Sequence, residues 1–349
     1  MKRIATSIAV VLFTLLTIMP ALAAGPFTVV LDGLQSPRGL AFGPGGRLYV
    51  AQAGSGGNTG AVTEIRNPWA ANPSAKNVVS GLPSAGGSGE FESVDGISVQ
   101  GNGGIYAIFG NSSQETGLPA PFGHLVKFSQ GGQMRDIANV GDFDFAWSNE
   151  HFDLAPRDFP DSNPYGLLAL PDKIYLTDAG TNTLNLLHPN GSDEILAFFP
   201  NNIIADSTPT CVAKGPDGAL YIGTLALVDS LVFGPSAIVY RVDPSQADPN
   251  DFSKVLNIAT PWATGLWPIN GCAFGPDGTF YVSQLITAQD FSGGDVVKIP
   301  FNTPDVHTSL TNNTLTFPAG VAVGADGTVF ASNGSAEVPV GQVVRLTNH

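Results

Sequence analysis

Charge is scarce in this chain: only 13% of its 349 residues are Asp, Glu, Lys or Arg. What charge there is leans one way, 29 acidic residues against 15 basic ones, for a formal −14. A surface this acidic repels phosphate backbones and anionic membranes, so nucleic acid is not an expected partner. Cysteine is nearly absent. Cys211 and Cys272 alone cannot build a Cys-rich scaffold or a structural zinc site of the usual spacing. No internal run reaches the ~20 apolar residues that a membrane span needs. Linear catalytic signatures are missing too. Gly86-Gly-Ser88-Gly89 is followed by Glu90 where a nucleophile elbow requires Gly, and no HExxH or CxxC occurs. Gly54-Ser-Gly-Gly57 joins strand to strand, without the helix whose N-terminus would hold a phosphate.

Glycine and proline are abundant, 42 and 27 residues, which favours short strands and turns over long helices. The first 24 residues stand apart. Lys2 and Arg3 precede an apolar run from Ile8 to Met19, and Ala21-Leu22-Ala23 follows Pro20. This is the pattern of a secretory signal peptide cleaved near Ala23-Ala24, so a secreted or periplasmic protein is expected. Loss of Lys2 and Arg3 would take the formal charge from −14 to −16.

The rest repeats one unit, seen most plainly in Pro209-Thr-Cys-Val-Ala-Lys-Gly-Pro-Asp-Gly-Ala-Leu-Tyr221-Ile. Two β-prone runs flank an Asp-Gly pair, which tolerates the positive φ of a tight hairpin. The same 12-residue offset joins Pro37 to Tyr49, Val94 to Tyr106, Ile269 to Tyr281 and Pro318 to Phe330. A sixth copy, Pro164 to Tyr175, is one residue shorter. A third apolar run follows every hairpin, and five copies have a fourth: Asn77–Leu82, Met134–Val140, Glu194–Phe199, Lys254–Ile258 and Val306–Leu310. Four strands per repeat predict an all-β, six-bladed β-propeller over residues 25–349, with blades starting near 37, 94, 164, 209, 269 and 318. The sixth copy lacks a fourth strand. Phe27–Leu34 resembles Asn77–Leu82 and is expected to fill the gap, closing the ring and leaving a monomer without free sheet edges.

Residues Ser36–Gly54 (SPRGLAFGPGGRLYVAQAG) are similar to NHL-type repeats of secreted propellers. The segments Asp161–Ala169 (DSNPYGLLA), Thr177–Leu186 (TDAGTNTLNL) and Ser207–Thr210, with the leader, resemble the ScyD/ScyE family. These are exported propeller proteins named after members encoded in cyanobacterial scytonemin gene clusters. The resemblance covers essentially the whole mature chain. It implies fold and location, since the family has no established activity, and it does not imply pigment synthesis.

Propeller sites gather one or two residues per blade at the top face, where each inner strand begins. Polar residues at inner-strand starts or second-strand ends are therefore the candidates: Arg38, Asp95, Asn163 and Asn270, with Gln52, Asp178, Gln284 and Asn333. Glu90 and Glu92 lie just outside. Glu90, Asp95, Asn163 and Asn270 are oxygen donors suited to calcium or a similar hard cation, the arrangement used by gluconolactonase-like propellers. Local readings compete: Asn163 before Pro164 and Asp178 before Ala-Gly suit turns, and Arg38 with Asp95 suits an ion pair. Asp217, Asp277 and Asp326 belong to hairpin turns, and Asp243–Asp251 to a solvated loop. Residues 141–162 form an insertion with aromatics among six carboxylates, expected to act as a lid. Its His151 stands between Glu150 and Asp153 as a candidate acid, base or ligand, against a plain surface reading, and Trp147, Phe152 and Leu154 would pin the segment. Cys211 and Cys272 fall one position apart in adjacent repeats, so buried free thiols are expected over a disulfide. The absence of a catalytic constellation favours a binding or accessory protein, whose partner is a small molecule or protein at the top face. A metal-assisted hydrolase or lactonase is the alternative and a quinone-dependent sugar dehydrogenase the third.

Overall fold

A computed structural model describes residues 25–87, 90–188, 190–336 and 340–347; the leader at 1–24 lies outside the described residues. Six antiparallel sheets form a ring, one per repeat. The GPDG turn closes as its residues dictate. Gly215 N bonds to Ala219 O, Gly218 N bonds to Gly215 O, and Gly218 takes φ +83°. Asp217 accepts from Ala219 N and from the Tyr221 hydroxyl, and pairs with Arg241 at 2.7 Å. A Cβ on Gly215 would lie 2.4 Å from the Tyr221 ring. The recurring glycine and the aromatic residue six positions later are thus one packing unit.

Inner strands are Pro37–Gly43, Val94–Val99, Pro164–Ala169, Pro209–Lys214, Ile269–Phe274 and Val321–Val323. Phe27–Leu34 pairs antiparallel with Gly341–Leu346 as the outer strand of blade six, so the expected seam is present. Blade one carries a fifth short strand, Glu90–Glu92. Blade four departs from expectation. Its segment Phe252–Asn257 is a helix, and the outer strand is Thr260–Leu266. Asp251 accepts from Ser253 N and Lys254 N, an N-cap that outweighs the apolar alternation of the following residues. Among the described residues no helix is long and apolar enough to cross a membrane.

The inner strands come together backbone to backbone. Gly39, Gly96, Gly166, Gly271 and Gly320 hold the same position in five blades, and a Cβ there would lie 2.2 to 2.9 Å from an atom of the next blade or its own hairpin. Blade four has Cys211 at this position. Its sulfur is bonded to Cys272 of blade five with a Cα–Cα distance of 5.8 Å, correcting the expectation of free thiols. Strand alternation describes one sheet, whereas these cysteines belong to two sheets that meet at an angle, so the one-position offset does not separate them. The bond closes 61 residues of chain, for which loop entropy gives about 4 kcal/mol. The double variant Cys211→Ser with Cys272→Ser is expected to lose about 3–4 kcal/mol in reversible urea unfolding. An unchanged midpoint would refute a stabilising role.

Candidate functional site

Arg38, Asp95, Tyr165, Thr210 and Asn270 are the second residues of the inner strands of blades one to five, and Ala319, two residues before the strand Val321–Val323, holds the equivalent place in blade six. Below them is a cavity of about 60 Å³ walled largely by the close-packed backbones. Arg38 is buried. Its Nη2 donates to Phe91 O at 2.9 Å and Nη1 to the Tyr165 hydroxyl at 3.3 Å, while Nε stands 3.6 Å from Asp95 Oδ1 without a hydrogen bond. Burial disfavours the Arg38 charge, but Tyr165, Asp95, Glu92 and Glu90 outweigh it and push the guanidinium further up. Burial raises the Tyr165 hydroxyl to about 12 against the pull of Arg38.

Asp95 is 1% exposed, and neither of its oxygens has a hydrogen-bond partner. The nearby Gly110 N–H bonds instead to Ser93 O at 3.2 Å. Burial, then the neighbouring Glu92 carboxylate, hold the Asp95 carboxyl well above its ordinary range, with Arg38 opposing. Glu92 Oε2 is also buried and unpartnered. A Cβ on Gly110 would lie 2.4 Å from Asp95 Oδ2 and 2.8 Å from both Glu92 Oε2 and Asn163 Oδ1. Three side-chain oxygens therefore crowd one side of Gly110, where only a glycine fits. Of nine buried side-chain atoms lacking a partner among the described residues, four belong to Arg38, Glu92 and Asp95, which marks this as the unsatisfied part of the ring.

The structure brings together Arg38, Asp95 and Asn163 of the predicted set. Asn270 lines the channel from blade five but is not among the oxygens that meet at Gly110. Glu90 is exposed on the edge strand, and Glu92 takes the place expected of it. Asp178 is structural. Its Oδ1 accepts from the backbone N–H of Asn163, Gly180 and Thr181, and its Oδ2 from Ser162 Oγ. Gln52 accepting from Gln35 N and Asn333 accepting from Thr316 N perform the same closure in blades one and six. Register alone locates Tyr165, since it stands where Arg38 and Asp95 stand.

The insertion packs against blade three. Helix α2 (Val140–Glu150, after the one-turn α1 at Ser113–Thr116) sends Trp147 against Phe159 and Phe198, in a cluster with Ala155 of the insertion, Ile195 on the outer strand of blade three (Asp193–Phe198) and Val255 in the Phe252–Asn257 helix. His151 stacks between Trp147 at 4.3 Å and Phe252 at 4.7 Å, and its Nδ1 lies 2.9 Å from Trp147 O. Packing rather than the adjacent carboxylates accounts for it. Phe152 remains exposed, so Trp147 is the anchor.

Carboxyls fasten the same insertion. Asp144 is fully buried, receives Asn185 Nδ2 at 2.7 Å on Oδ1, and presents an unpartnered Oδ2 towards Asp178. Burial, then Asp178 and Asp193, hold it well above the usual range. Burial likewise raises Asp161 to about 8, with Glu115 adding to it, Asp193 to about 7, and Asp206 to about 6.

Among the described residues no three His, Cys, Asp or Glu side chains stand together as a metal site; the third oxygen at Gly110 is a carboxamide. No protein-family model and no curated protein matches the chain. Solved structures do. A gluconolactonase from Xanthomonas campestris superposes with TM-score 0.57 at 11% identity over 92% of this chain and 89% of its own. The PQQ-bound aldose sugar dehydrogenase of Streptomyces coelicolor gives 0.56 at 14% identity over 91% and 96%, and virginiamycin B lyase of Staphylococcus aureus 0.51 at 16% over 87% and 81%. At these identities the likeness supports the propeller fold.

Proposed function

We propose that this chain is an exported propeller of the ScyD/ScyE kind that binds a ligand at its top-face mouth through Arg38, Glu92, Asp95 and Asn163. The observation that carries this reading is the concentration of unpartnered buried polar atoms on Arg38, Glu92 and Asp95. Leaving such groups without partners costs about 1–3 kcal/mol each, a cost that a bound ligand offsets. Export is supported by the leader pattern and by the Cys211–Cys272 bond, since disulfides persist in oxidising compartments.

A thermal-shift panel of small carboxylates, lactones and polyols on the mature chain tests the reading. At least one class is expected to raise the melting temperature, and Arg38→Lys, which keeps charge but loses the planar fork, is expected to abolish that rise. No responding class, or a rise indifferent to Arg38→Lys, would count against it. The second reading, a metal-assisted hydrolase, draws on the three oxygens crowded beside Gly110 and on the gluconolactonase likeness. Lactone turnover that depends on added cation would favour it. A quinone-dependent dehydrogenase has less support, because among the described residues no histidine lines the channel cavity.

A further inference from the structure

We infer that the cleft between blades six and one is a binding site for a short neutral saccharide, held by Asn77 and Asp32. Its walls are the outer strands of the two blades, so it is separate from the mouth of the channel and independent of the reading given to that site.

The cleft opens because both outer strands bulge. Phe27–Leu34 breaks register with its partner between Leu31 and Leu34, and Ser74–Gly87 breaks register opposite Gly60/Ala61 and Val62/Thr63. Asp32-Gly33 and Ser80-Gly81 make matching bends, each with its glycine at φ +76°. Beside Leu34, Val50 and Ile65, which pack the two blades together, the walls part around about 700 Å³. That lies within the ~300–1,000 Å³ of small-molecule sites. The fold does not require polar walls here. Thr63 stands opposite Val50, and the same place in the other blades holds Val126, Asn185, Tyr240, Val297 and Val344. The four apolar residues pack into clusters shared with the preceding blade, and Asn185 is taken by Asp144. Blade one instead has a hydroxyl facing an open cleft.

A hydrogen-bond relay fixes what the cleft offers. The Gln35 N–H can only donate, and it donates to Gln52 Oε1 at 2.9 Å. Gln52 Nε2 therefore faces Thr63 Oγ1 and donates to it at 2.7 Å, and Thr63 donates in turn to Asn77 Oδ1 at 2.7 Å. The relay ends on Asn77, an exposed residue whose Nδ2 donors are left for a ligand. Asp32 on the facing strand is an exposed acceptor, and Thr59 and Ser80 add hydroxyls. Lys76 precedes Asn77 in extended chain, so its ammonium is carried to the other face of the sheet. A sugar hydroxyl donates and accepts at once, so adjacent hydroxyls satisfy Asp32 and Asn77 together. An anion would meet Asp32 on a chain of formal charge −14, and an apolar molecule would strand the amide donors.

The test follows the Asn77 side-chain amide and the Thr63 methyl by nuclear magnetic resonance while cellotriose, maltotriose or the anionic trigalacturonate is added to mature protein. At least one neutral trisaccharide is expected to shift both signals to saturation, and trigalacturonate to shift neither. Asn77→Asp keeps the acceptor for Thr63 and removes only the donors. Read on the Thr63 methyl, it and Asp32→Ala are each expected to weaken binding about tenfold, the worth of one hydrogen bond. Ala75→Trp, two residues from Asn77 on the same face, is expected to abolish binding by filling the cleft. All three positions are exposed, and circular dichroism checks that each variant folds. No shift with either neutral sugar overturns the inference, as does equal binding of trigalacturonate or an affinity indifferent to the three substitutions. If Arg38→Lys removes the binding and Asn77→Asp does not, the sugar sits at the mouth, which overturns the cleft site and leaves the ligand site at the mouth standing.

Discussion

Gly96→Ala is expected to lower the stability of the ring by about 3 kcal/mol, the upper range for overpacking. The added methyl would lie 2.2 Å from Tyr165 O, 2.8 Å from Ile108 Cγ2 and 3.2 Å from Leu167 Cβ. The first of these is backbone of the neighbouring inner strand, so no rotamer change relieves it. Blade three must move outward, and Tyr165 moves with it, removing the hydroxyl to which Arg38 Nη1 donates. The same substitution at Gly218 isolates the steric effect. Gly218 has φ +83° but nothing within 4 Å of an added Cβ, so only the left-handed conformation is penalised, at about 1 kcal/mol. Urea unfolding of both variants gives the comparison. Equal losses would show that the inner ring relaxes freely around the added methyl.

Local chemistry made the blades legible, and geometry between blades hid the rest. The Asp-Gly turns and the glycine–aromatic pairs act within about a dozen residues, so six hairpins and their seam follow from spacing. Blade four was obscured because its outer strand, Thr260–Leu266, contains Pro261 and Gly265, whereas the apolar residues of Phe252–Asn257 mimic a strand until Asp251 caps them as a helix. The disulfide depends on how two sheets incline towards each other, which no single strand records. The mouth was half legible. Register places Arg38, Asp95 and Tyr165 together, but it does not say which of Glu90 and Glu92 reaches them. Two residues of extended chain are ~6.6 Å, enough to leave Glu90 in solvent. His151 misled because sequence neighbours suggested a charged setting, whereas the ring is held by Trp147 and by Phe252, a hundred residues away.

Stability is expected to fall as pH rises from about 5 to 8, the reverse of a protein held by paired carboxylates. Asp161, Asp193 and Asp206 have folded values raised to about 8, 7 and 6, and Asp144 is raised well above its ordinary range, each chiefly by burial. A group raised in the folded state binds more protons there than in the unfolded chain. Its stabilisation is complete below the unfolded value near ~4 and is lost as pH climbs through the folded one. A tenfold difference in proton affinity between the folded and unfolded chain is worth about 1.4 kcal/mol, so the groups together remove several kcal/mol across this window. Below about pH 4 the sign reverses, because the hydrogen-bonded Asp142, Asp217 and Asp277, held below their usual range, then take up protons. Melts in chelator are expected to show a maximum near pH 5 and a drop of about 10 °C by pH 8. Asp144→Asn imitates the protonated acid, with an amide able to donate to Asp178, and is expected to flatten the decline. A melting temperature that rises from pH 5 to 8, or a slope untouched by Asp144→Asn, would mean that the insertion is held by Trp147 and its apolar neighbours without help from the protonated carboxyls.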